Sequence, residues 1–472
     1  MRETDRTPPT TSSGVPAPDP EGRLSSALAL YQKVAPLDFF DRLQQQLKLR
    51  CRTGVFTLPV VIWRMVFQRL HDKGTLWVAV QQLIRGLPAG LIPRPSKRLR
   101  QRTVSSHTGG YNQARQKLPL EVVERVSDHV FEQLLGPAPE ALPGLGRRVF
   151  LLDGSTLLMS HTPELAAAYP PARNQHGRSH WPVMRVLVAH ELGCGMAMRP
   201  HWGPLDGPQA VSEQRLTEEA LERLPTGSVV LGDQNFGVFS VAWAAQQRNH
   251  PVLLRLTARR AQGIFGPVLP SGTDRRVVWK PSREDRARHP ELPAGACVHG
   301  RLVVRKVYPS DGSGPLKLCL FTTLEVPGEE LRKLYGQRWN VETDLRSLKK
   351  TIRLEMLECR TVAMVAKELI LAVTAYNLVR AVIGEAAYRA ALPPRCFSFS
   401  RVQDVLNTWL PYLATLPSED ERQAEFERMM KCVAQCRLYK RKKPTSYPRE
   451  VWGRPRVFPT RKARSSQEGD RS

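Results

Sequence analysis

The stretch LRKLYGQRWNVETDLRSLKKTI, residues 331–352, decides how the fold is interpreted. It has no proline, one early glycine and many good helix formers, so we predict a single long helix. At about 100° per residue, one face of that helix carries a polar stripe of four side chains within about 60° of arc. The polar stripe consists of Tyr335, Arg338, Glu342 and Lys349. Beside it lies an apolar stripe of Leu334, Val341, Leu345, Leu348 and Ile352.

The two stripes predict different roles for the two faces. The apolar stripe would pack the helix onto a hydrophobic core. The polar stripe would then present one carboxylate, Glu342, among a phenol, a guanidinium and an ammonium. That arrangement suits a metal ligand held beside a polyphosphate. The alternative is an amphipathic surface helix whose charged groups are only solvated.

The overall composition points to a polyanionic partner. The chain has 472 residues, of which 41% are hydrophobic, enough for one large domain or several ordinary ones with real cores. Its formal charge is +26 and its pI is about 10.2, an excess of positive charge that folding does not require. Nucleic acid is the first candidate for the partner.

No stretch of the sequence predicts export or membrane insertion. There is no run of about 18 uninterrupted apolar residues and no charged leader followed by an apolar segment. The eight cysteines are scattered, which fits reduced thiols better than a disulfide framework. Cys432 and Cys436 are the only close pair and no second Cys/His pair accompanies them, so a zinc site is not favoured. We expect a soluble protein of the cytoplasm.

The amino-terminal part is basic and has a helical pattern. Residues 1–23 are rich in Pro, Ser, Thr and Gly and should form a disordered leader. Residues 24–135 show apolar spacings of three and four, which predict helices. Between residues 42 and 120 the only acid is Asp72, against fifteen Lys and Arg, and residues 92–102 (IPRPSKRLRQR) hold five of these. We predict a helical DNA-binding domain; the alternative is a basic lobe with only a structural role.

The pattern changes after a Pro/Gly linker at residues 136–147. Residues 148–256 alternate strand-like and helical segments, which indicates the first part of a domain with a mixed α/β sheet. Besides the two strands discussed next, the predicted elements are strands at 183–192, 194–200 and 251–256 and helices at 210–224 and 238–249.

Two aspartates fall where a sheet would hold them rigidly. RVFLLDGSTLLM (148–159) is an apolar run interrupted by Asp-Gly, which predicts paired strands with Asp153 at a strand end. SVVLGD (228–233) is a predicted buried strand that ends in Asp233. Taken singly, each has a simpler explanation, because Asp-Gly is a turn signal and Asp233 would also cap the helix that follows.

Residues 257–327 carry more charge and more Gly and Pro than the segment before them. We predict a β-rich insertion ahead of the helix that bears Glu342. Its candidate strands are at 275–280, 297–309 and 316–324.

The carboxyl-terminal part is predicted to be mainly helical. Residues 328–390 contain the two-striped helix and close the α/β domain. Within them, residues 361–384 are apolar nearly all round, which predicts a buried helix. Residues 391–436 form a further helical region. Residues 437–472 form a basic, flexible tail, which as far as residue 464 carries eleven Lys or Arg against a single acid.

Three carboxylates suffice for metal-dependent cleavage of a phosphodiester. Two divalent cations can activate the nucleophilic oxygen and stabilise the pentacovalent phosphate. Mg²⁺ prefers hard oxygen ligands and takes only a few protein carboxylates. Asp153 and Asp233 at strand ends, with Glu342 on a helix packed across the sheet, would provide them.

The four residues of the polar stripe resemble a known signature. Their spacing reproduces the Y-(2)-R-(3)-E-(6)-K pattern of DDE transposases of insertion-sequence family four, a Tn-five-like group. The resemblance extends over residues 149–383 and includes LLDGSTL around Asp153 and SVVLGDQNFG around Asp233. Residues 24–135 resemble the amino-terminal region of the family more weakly.

The resemblance implies a fold and a catalytic site. The fold would be an α/β, ribonuclease-H-like (retroviral-integrase-like) catalytic domain with a β-strand insertion, preceded by an all-α amino-terminal domain. Asp153, Asp233 and Glu342 would be both the catalytic residues and the metal ligands. The metal would be Mg²⁺ or Mn²⁺, with two ions per active site.

The resemblance also implies residues that bind DNA. Tyr335, Arg338 and Lys349 would hold phosphates near the cleaved end. An aromatic side chain of the insertion would stack on a flipped base during hairpin formation, and Trp279 is the candidate. The alternative places Trp279 in the core.

The implied activity is cut-and-paste DNA transposition in the cytoplasm, at the nucleoid of a bacterial cell. A homodimer would pair the terminal inverted repeats of double-stranded DNA, cleave one strand, form a hairpin with the freed 3′-OH, reopen it and join the ends to target DNA. Two rival functions stay open. One is a catalytically inactive, transposase-derived DNA-binding protein, and the other is a metal-dependent nuclease without strand transfer.

The sequence departs from the family pattern at one place. Family members often follow the second Asp with Arg-Gly and an aromatic, whereas Gln234, Asn235 and Phe236 follow Asp233 here. The metal ligand is kept, but a basic side chain that would touch DNA is missing. The inactive rival is favoured if this change disables the site.

Overall fold

The computed structural model describes residues within the span 27–438. Inside that span the residues not described are 50–53, 72–73, 86–90, 93–95, 102, 137–144, 175–176, 309–314, 414–415 and 417. The predicted leader (1–23), most of the linker and all but the first two residues of the basic tail lie outside the described residues.

The amino-terminal part is helical, as the apolar spacing predicts. Thr75 caps one helix by accepting a hydrogen bond from the N–H of Val78, and Pro59 lies in the first turn of another, where its missing N–H costs no hydrogen bond. The helices found in the described segments are α1 (Ala27–Val34), α2 (Leu37–Gln46), α3 (Leu58–Leu70), α4 (Leu76–Ile84), α5 (Lys97–Arg100), α6 (Gly109–Lys117) and α7 (Leu120–Leu135).

Beyond the linker the chain alternates strands and helices. The strands are β1 (Val149–Met159), β2 (Arg173–Asn174), β3 (Gly177–Arg178), β4 (Val183–Glu191), β5 (His201–Pro204), β6 (Val229–Gly232), β7 (Val252–Leu256), β8 (Asp274–Trp279), β9 (Val298–Val307), β10 (Leu316–Thr322) and β11 (Met356–Leu357). The helices are α8 (Pro163–Ala168), α9 (Glu213–Leu221), α10 (Phe239–Gln247), α11 (Ala258–Phe265), α12 (Arg283–Arg288), α13 (Gly328–Gly336), α14 (Trp339–Arg346), α15 (Val362–Arg389), α16 (Phe399–Leu413) and α17 (Glu419–Gln435).

The main sheet confirms the predicted ribonuclease-H-like α/β fold. Its strand order is β5-β4-β1-β6-β7-β10-β9-β8, with β11 paired to the far end of β1. The strands β5, β4 and β1 are antiparallel neighbours, and β1, β6 and β7 run parallel. Helices α9 and α10 cover one face of the sheet and α13 and α14 the other, so the strands are buried on both sides.

The insertion between β7 and α13 extends this sheet. Strands β8, β9 and β10 coincide with the three predicted strands, and β10 pairs antiparallel with β7. Two short helices, α11 and α12, also lie in the insertion. Helix α12 begins with a capping box, in which Ser282 and Asp285 exchange hydrogen bonds. The sequence contains this helix signal, but the prediction of a β-rich insertion did not use it.

Strand β1 runs without a break through Asp153, so the predicted strand end at this residue is wrong. Asp153 pairs with Val188 and Gly154 with Leu187 on β4. An Asp-Gly pair favours a turn only where the chain is free to reverse. Here the apolar residues on both sides alternate between two buried faces, and pairing with β4 keeps the backbone extended.

The segment 331–352 is divided into α13, α14 and a π-helical turn, Ser347–Thr351, so the prediction of one long helix is wrong. Helix α13 ends at Gly336, a residue that weakens helices, and a tight turn follows in which the N–H of Arg338 donates to the carbonyl of Tyr335 (3.0 Å). The apolar stripe is nevertheless buried as predicted, and its exposed fractions are at most 9%.

The segment 194–200 is a turn rather than the predicted strand, and only Ala197 forms a bridge, to His190. Gly195 has φ +76°, in the left-handed region that glycine favours. The carboxylate of Glu191 accepts a hydrogen bond from the N–H of Cys194 (2.7 Å), which stabilises the turn. The strand begins one residue after the predicted segment, at β5.

Helix α15 confirms the predicted buried helix at 361–384 and extends it to 28 residues. It packs against α3 and α7 of the amino-terminal part and against β11, so one hydrophobic core spans both parts of the chain. Its length and apolar composition would suffice to cross a membrane, but 89% of its most apolar window is buried inside the protein. The helix is therefore apolar nearly all round because protein surrounds it.

Candidate active site

Asp153, inside β1, and Asp233, just after the end of the parallel strand β6, lie side by side. Leu151 of β1 is opposite Leu231 of β6, and the same register continued by two residues brings Asp153 opposite Asp233. Alternate residues of both strands face α13 and α14, and the two aspartates continue that alternation. The fold therefore brings together two of the predicted metal ligands.

The loop after Asp233 is held by backbone hydrogen bonds. Its Oδ1 accepts from the N–H of Asn235 (2.8 Å) and its carbonyl from the N–H of Gly237 (3.0 Å). Only glycine fits at position 237, because a Cβ there would lie 2.0 Å from the carbonyl oxygen of Arg255. Arg260 of α11 donates to the carbonyl of Gly237 (3.2 Å), so an arginine lies against this loop although none follows Asp233 in the sequence.

Glu342 is hydrogen-bonded to Arg338, whose positive charge also acts on the two aspartates. The Nη2 atom of Arg338 donates to Oε1 of Glu342 at 2.9 Å. Burial alone would lower the pKa of Arg338, but Glu342, Tyr335 and Asp233 together raise it. In turn, the positive charge of Arg338 lowers the pKa of Asp153. Arg338 thus lies among all three predicted carboxylates.

Asp153 has an environment that disfavours its charged form. Burial, with smaller contributions from the negative charges of Asp233 and Glu213, raises the pKa of Asp153 to about 7. The hydrogen bond from the N–H of Gly154 to its Oδ1 (2.9 Å) and the charge of Arg338 act in the opposite direction and are outweighed. A cation bound beside Asp153 would relieve this accumulation of negative charge.

Tyr335 offers a hydroxyl group to the same site. The residue is 7% exposed, and its Oη lies beside the guanidinium of Arg255 without a well-formed hydrogen bond to any described residue. Burial raises the pKa of Tyr335, although the nearby guanidiniums of Arg338 and Arg255 lower it in part. A buried hydroxyl without a well-formed hydrogen bond is costly, and a bound phosphate oxygen would satisfy it.

The three carboxylates do not form a closed metal cage. Among the described residues, no three His, Cys, Asp or Glu side chains lie close enough to hold an ion. Glu342 instead contacts Arg338. The donor set still fits a hard divalent cation, because it consists of carboxylate oxygens and because burial, with the nearby charge of Asp233, raises the pKa of Asp153, a shift that a bound cation would oppose.

A buried ion-pair network fixes the helix that carries Glu342. Asp344, two residues further on, is fully buried and accepts hydrogen bonds from Arg380 of α15 and from Nη1 of Arg395 (2.6 Å). Burial alone would raise the pKa of Asp344, but the two guanidiniums lower it. Arg395 also donates to the carbonyl of Leu192 (3.0 Å), so the network ties α14 to α15 and to the turn after β4.

Lys349 and Trp279, the other two predicted DNA contacts, have no described contact with the three carboxylates. Lys349 lies in the π-helical turn, is half-buried and makes no ion pair with a described acidic residue. Trp279 is only 5% exposed and packs edge-on against Phe321, with ring centroids 4.8 Å apart, and against Phe239. This placement favours the core alternative for Trp279 over base stacking.

A basic groove of about 1210 Å³ runs from Asn235 into the insertion, and Trp279 lies along its wall. Six arginine or lysine side chains and two acidic ones line it. The basic residues are Arg215, Arg259, Arg260, Lys280, Arg283 and Arg288, and the acidic ones are Glu284 and Asp285.

Sequence reasoning missed several residues that this site contains. Glu213 and Arg260 contact the loop after Asp233 from segments about 20 residues or more away in the chain, and no spacing rule connects them with it. The sequence did contain a signal for Asp344, because Val341 and Leu348, its neighbours on one side of the helical segment, are apolar. Its meaning depends on partners from two other elements, which the sequence does not reveal.

Comparisons with known proteins agree with this geometry. A family model described as a transposase DDE domain matches residues 144–378. The transposase InsG for insertion sequence element IS4 from Escherichia coli (strain K12) is 26% identical over 444 residues, an alignment that covers 89% of this chain and 92% of the relative. The matched segment contains Asp153, Asp233 and Glu342.

Proposed function

Because the chain belongs to the DDE transposases of insertion-sequence family four, we propose that it moves an insertion sequence by a cut-and-paste route. One strand is hydrolysed at each terminal inverted repeat. The freed 3′-OH attacks the opposite strand to form a hairpin, and the hairpin is reopened. The ends are then joined to target DNA.

The observation that carries this proposal is the meeting of three carboxylates around one guanidinium. Asp153 on β1 and Asp233 just after β6 lie in the same register, and the charge of Arg338, which is hydrogen-bonded to Glu342, acts on both of them. A solvated surface helix, the simpler interpretation of this segment, would not require a buried tyrosine and a half-buried arginine to face the sheet end.

Asp153, Asp233 and Glu342 would hold two divalent cations, Mg²⁺ or Mn²⁺, which activate the nucleophile and neutralise charge on the phosphate. The protein contributes rigidity to this site. Asp153 is fixed within β1 by pairing with β4, and Asp233 is fixed by the N–H of Asn235. Glu342 is carried by a helix that the buried Asp344 network holds in place.

Positive side chains around the carboxylates would bind and orient the DNA backbone. Arg338 and Tyr335 supply a fork of donors and a hydroxyl beside the scissile phosphate, and Lys349 supplies a point charge. The basic groove would lead the strand away from the site. Helix α5, which exposes Lys97, Arg98 and Arg100, would contribute to binding by the amino-terminal part.

Two copies of the chain would act together in this proposal. Each copy would bind one end of the insertion sequence, and pairing of the ends would commit both to cleavage. The charge of +26 is consistent with a protein that contacts several DNA segments at once.

A single assay tests the proposed function. Linear DNA carrying the transposon end is incubated with the protein, Mg²⁺ or Mn²⁺ and a supercoiled target plasmid, and the products are resolved on denaturing and native gels. We expect nicked ends, hairpins and joined products. Binding without cutting would identify the inactive rival, and cutting without joining would identify the nuclease.

A further inference from the structure

A cavity of about 500 Å³ lies between the amino-terminal helices and the start of α15. Its walls come from α3, α4 and α6 on one side and from α15 and the segment 358–361 on the other. That segment directly follows β11, which pairs with Leu158 of β1, roughly 16 Å along the strand from Asp153. This space, which we call the α6–α15 cavity, is therefore separate from the three carboxylates.

Arginine side chains outnumber acidic ones around the α6–α15 cavity. Its charged lining residues are Arg69, Arg115, Arg353, Arg360, Glu358 and Glu368. The carboxylate of Glu368 is already occupied, because it accepts hydrogen bonds from the backbone N–H groups of Glu358 (3.1 Å) and Cys359 (2.9 Å) and forms a buried ion pair with Arg69. In the described part of the chain, Arg115 and Arg360 form no ion pair with an acidic residue.

Arg115 of α6 has a donor that no described residue satisfies. Its Nε is buried without a hydrogen-bond partner, and its Nη2 donates to the Sγ of Cys359 at 3.6 Å, which is a weak acceptor. The guanidinium lies over the ring of Tyr111, 5.6 Å from the centroid, and this contact fixes its position. A buried guanidinium N–H without a good acceptor is costly, and a phosphate oxygen would satisfy it.

Positive charge is crowded on this side of the protein. Burial and then the charge of Arg115 lower the pKa of Lys367, whose Nζ donates to the backbone carbonyl of Arg115 (3.1 Å). Burial lowers the pKa of Arg69 to about 10, and Arg353 and Arg115 act in the same direction, against Glu358. Helix α15 begins at the same wall, and the amino-terminal end of a helix carries partial positive charge. A bound anion would offset this repulsion.

The α6–α15 cavity also has an apolar lining, formed by Met65, Leu76, Met364 and Leu371. Its volume is within the range of about 300–1,000 Å³ that is usual for sites of small ligands. An inorganic phosphate would leave most of this space empty and would not use the apolar side chains. A nucleotide would use both, because it joins a phosphate to a flat base with apolar faces.

We propose that the α6–α15 cavity is a nucleotide-binding site outside the active site, in which Arg115 and Arg360 bind the phosphate and the apolar lining holds the base. The nucleotide comes from solution or from a strand of bound DNA, and the two sources offer the same chemistry. Its contacts with α6 and with the segment ahead of α15 would bridge the amino-terminal and catalytic parts. The inference goes beyond the proposed function and does not depend on the reaction.

Cys359 provides a direct readout, because its thiol lies in the wall of the cavity beside Arg115. The full chain is treated with iodoacetamide, and the alkylation rate of each cysteine is measured by mass spectrometry of its peptides. We expect adenosine monophosphate (AMP), or an unrelated single-stranded oligonucleotide, to slow the alkylation of Cys359. Adenosine, which lacks the phosphate, should not, and Cys297 in the insertion should react at the same rate throughout.

Variants of the two arginines test how the phosphate is bound. Arg115→Gln and Arg360→Gln should each bind the protecting ligand about tenfold or more weakly, as measured by calorimetry, because each removes a hydrogen bond between charged groups. Arg125→Gln on α7 is the matched control, since it removes the same charge from an exposed arginine that pairs with Glu121. Arg360 is exposed, so its variant tests the site even if Arg115→Gln lowers the stability of the protein.

Protection by AMP would identify a free nucleotide as the source, and protection by the oligonucleotide alone would identify DNA. The inference would be overturned if neither protects Cys359, or if adenosine or inorganic phosphate protects it as well as AMP does. Equal affinities in Arg360→Gln and Arg125→Gln would also overturn it. A protein that passes these tests but neither cuts nor joins DNA would refute the proposed function and leave the nucleotide site standing.

Discussion

Arg338 donates a hydrogen bond to Glu342 across 2.9 Å, so the helix that bears the third predicted metal ligand also bears a cation bound to that ligand. A divalent ion and this guanidinium are attracted by the same carboxylates and would compete for them. DNA offers Arg338 a second partner, because phosphate and guanidinium form paired hydrogen bonds. We expect end DNA to draw Arg338 away from Glu342 and so to prepare the metal site.

The first prediction follows from this competition. Arg338→Ala should bind Mg²⁺ more tightly than wild type in the absence of DNA, because a competing positive charge is removed. The same variant should assemble paired ends poorly and cleave slowly, and added metal should not restore cleavage. Calorimetry and gel shift measure the two effects.

Lys349→Ala serves as the comparison, since its ammonium makes no ion pair with a described carboxylate. It should weaken assembly without changing Mg²⁺ affinity. Recovery of Arg338→Ala cleavage at high metal concentration would show that Arg338 acts on the metal site and not on DNA.

The second prediction concerns the three carboxylates themselves. Asp153→Ala, Asp233→Ala and Glu342→Ala should each reduce cleavage below detection and leave binding of end DNA largely intact, because each removes a metal ligand and not a DNA contact. Glu342→Asp keeps the charge but withdraws it by one methylene, so we expect partial rescue by Mn²⁺. Cleavage rates in both metals, beside gel-shift affinities, test this. Full cleavage by Glu342→Ala would remove α14 from the site.

The third prediction uses the pKa of Asp153, which burial raises to about 7. Below about pH 4 the carboxyl group is protonated in both the folded and the unfolded chain. As the pH rises from 4 to 7, the unfolded chain releases this proton while the folded chain still holds it. The free energy of unfolding therefore falls over this range, and it stops falling above about pH 7, where the carboxyl group is ionised in both states. Asp153→Asn removes the loss and keeps an acceptor for the N–H of Gly154.

Thermal unfolding in EDTA should therefore show a higher Tm for Asp153→Asn than for wild type at pH 8, and a smaller difference at pH 5. Adding Mg²⁺ should raise the Tm of the wild type only. A difference that is larger at pH 5 would contradict the raised pKa.

The fourth prediction concerns the buried network behind Glu342. Asp344→Asn leaves Arg380 and Arg395 without a counter-charge, and Asp344 is completely buried. Loss of one partner of a buried ion pair costs about 3–5 kcal/mol of unfolding free energy. Urea unfolding measures this loss, with Asp420→Asn on the exposed face of α17 as control. A loss below about 1 kcal/mol, typical of surface ion pairs, would mean that the network does not hold α14 in place.

The fifth prediction concerns salt. Each phosphate neutralised by the protein contributes about −0.9 to the slope of log affinity against log salt concentration. Deletion of residues 437–472, which carry the basic tail, should make that slope less steep. Affinity for end DNA measured across a salt series gives the slope. An identical slope in the truncated protein would exclude the tail from DNA contact.

The sequence was most informative where one face of an element had to be buried. The strands around Asp233 and in the insertion, the amino-terminal helices and α15 all follow apolar periodicity, and the structure contains them close to the expected residues. The apolar stripe of 331–352 is buried for the same reason. The spacing of apolar residues indicates which side of a segment packs against the core, even when the elements that it packs against are not known.

The sequence was least informative where a local preference competes with tertiary contacts. Asp153-Gly154 has the composition of a turn, but pairing with β4 keeps it extended, and the glycine is needed for the approach of Glu213. Gly336 ends a helix within a segment of otherwise good helix formers. The contacts of Arg260 and Glu213 with the loop after Asp233 depend on how α11 and α9 pack, which no spacing in the chain encodes.

Helix α15 limits how far the amino-terminal helices can be exchanged between relatives of this protein in order to change the DNA sequence that is bound. Its surface packs against both the amino-terminal helices and the catalytic part, so the amino-terminal helices are not an independent domain that could be exchanged as a unit. A chimera joined at residues 136–147 would place foreign helices on an α15 surface shaped for α3 and α7. Under the predicted role of the amino-terminal helices in DNA binding, recognition of a new terminal repeat would have to evolve together with α15, by paired changes on both sides of that contact.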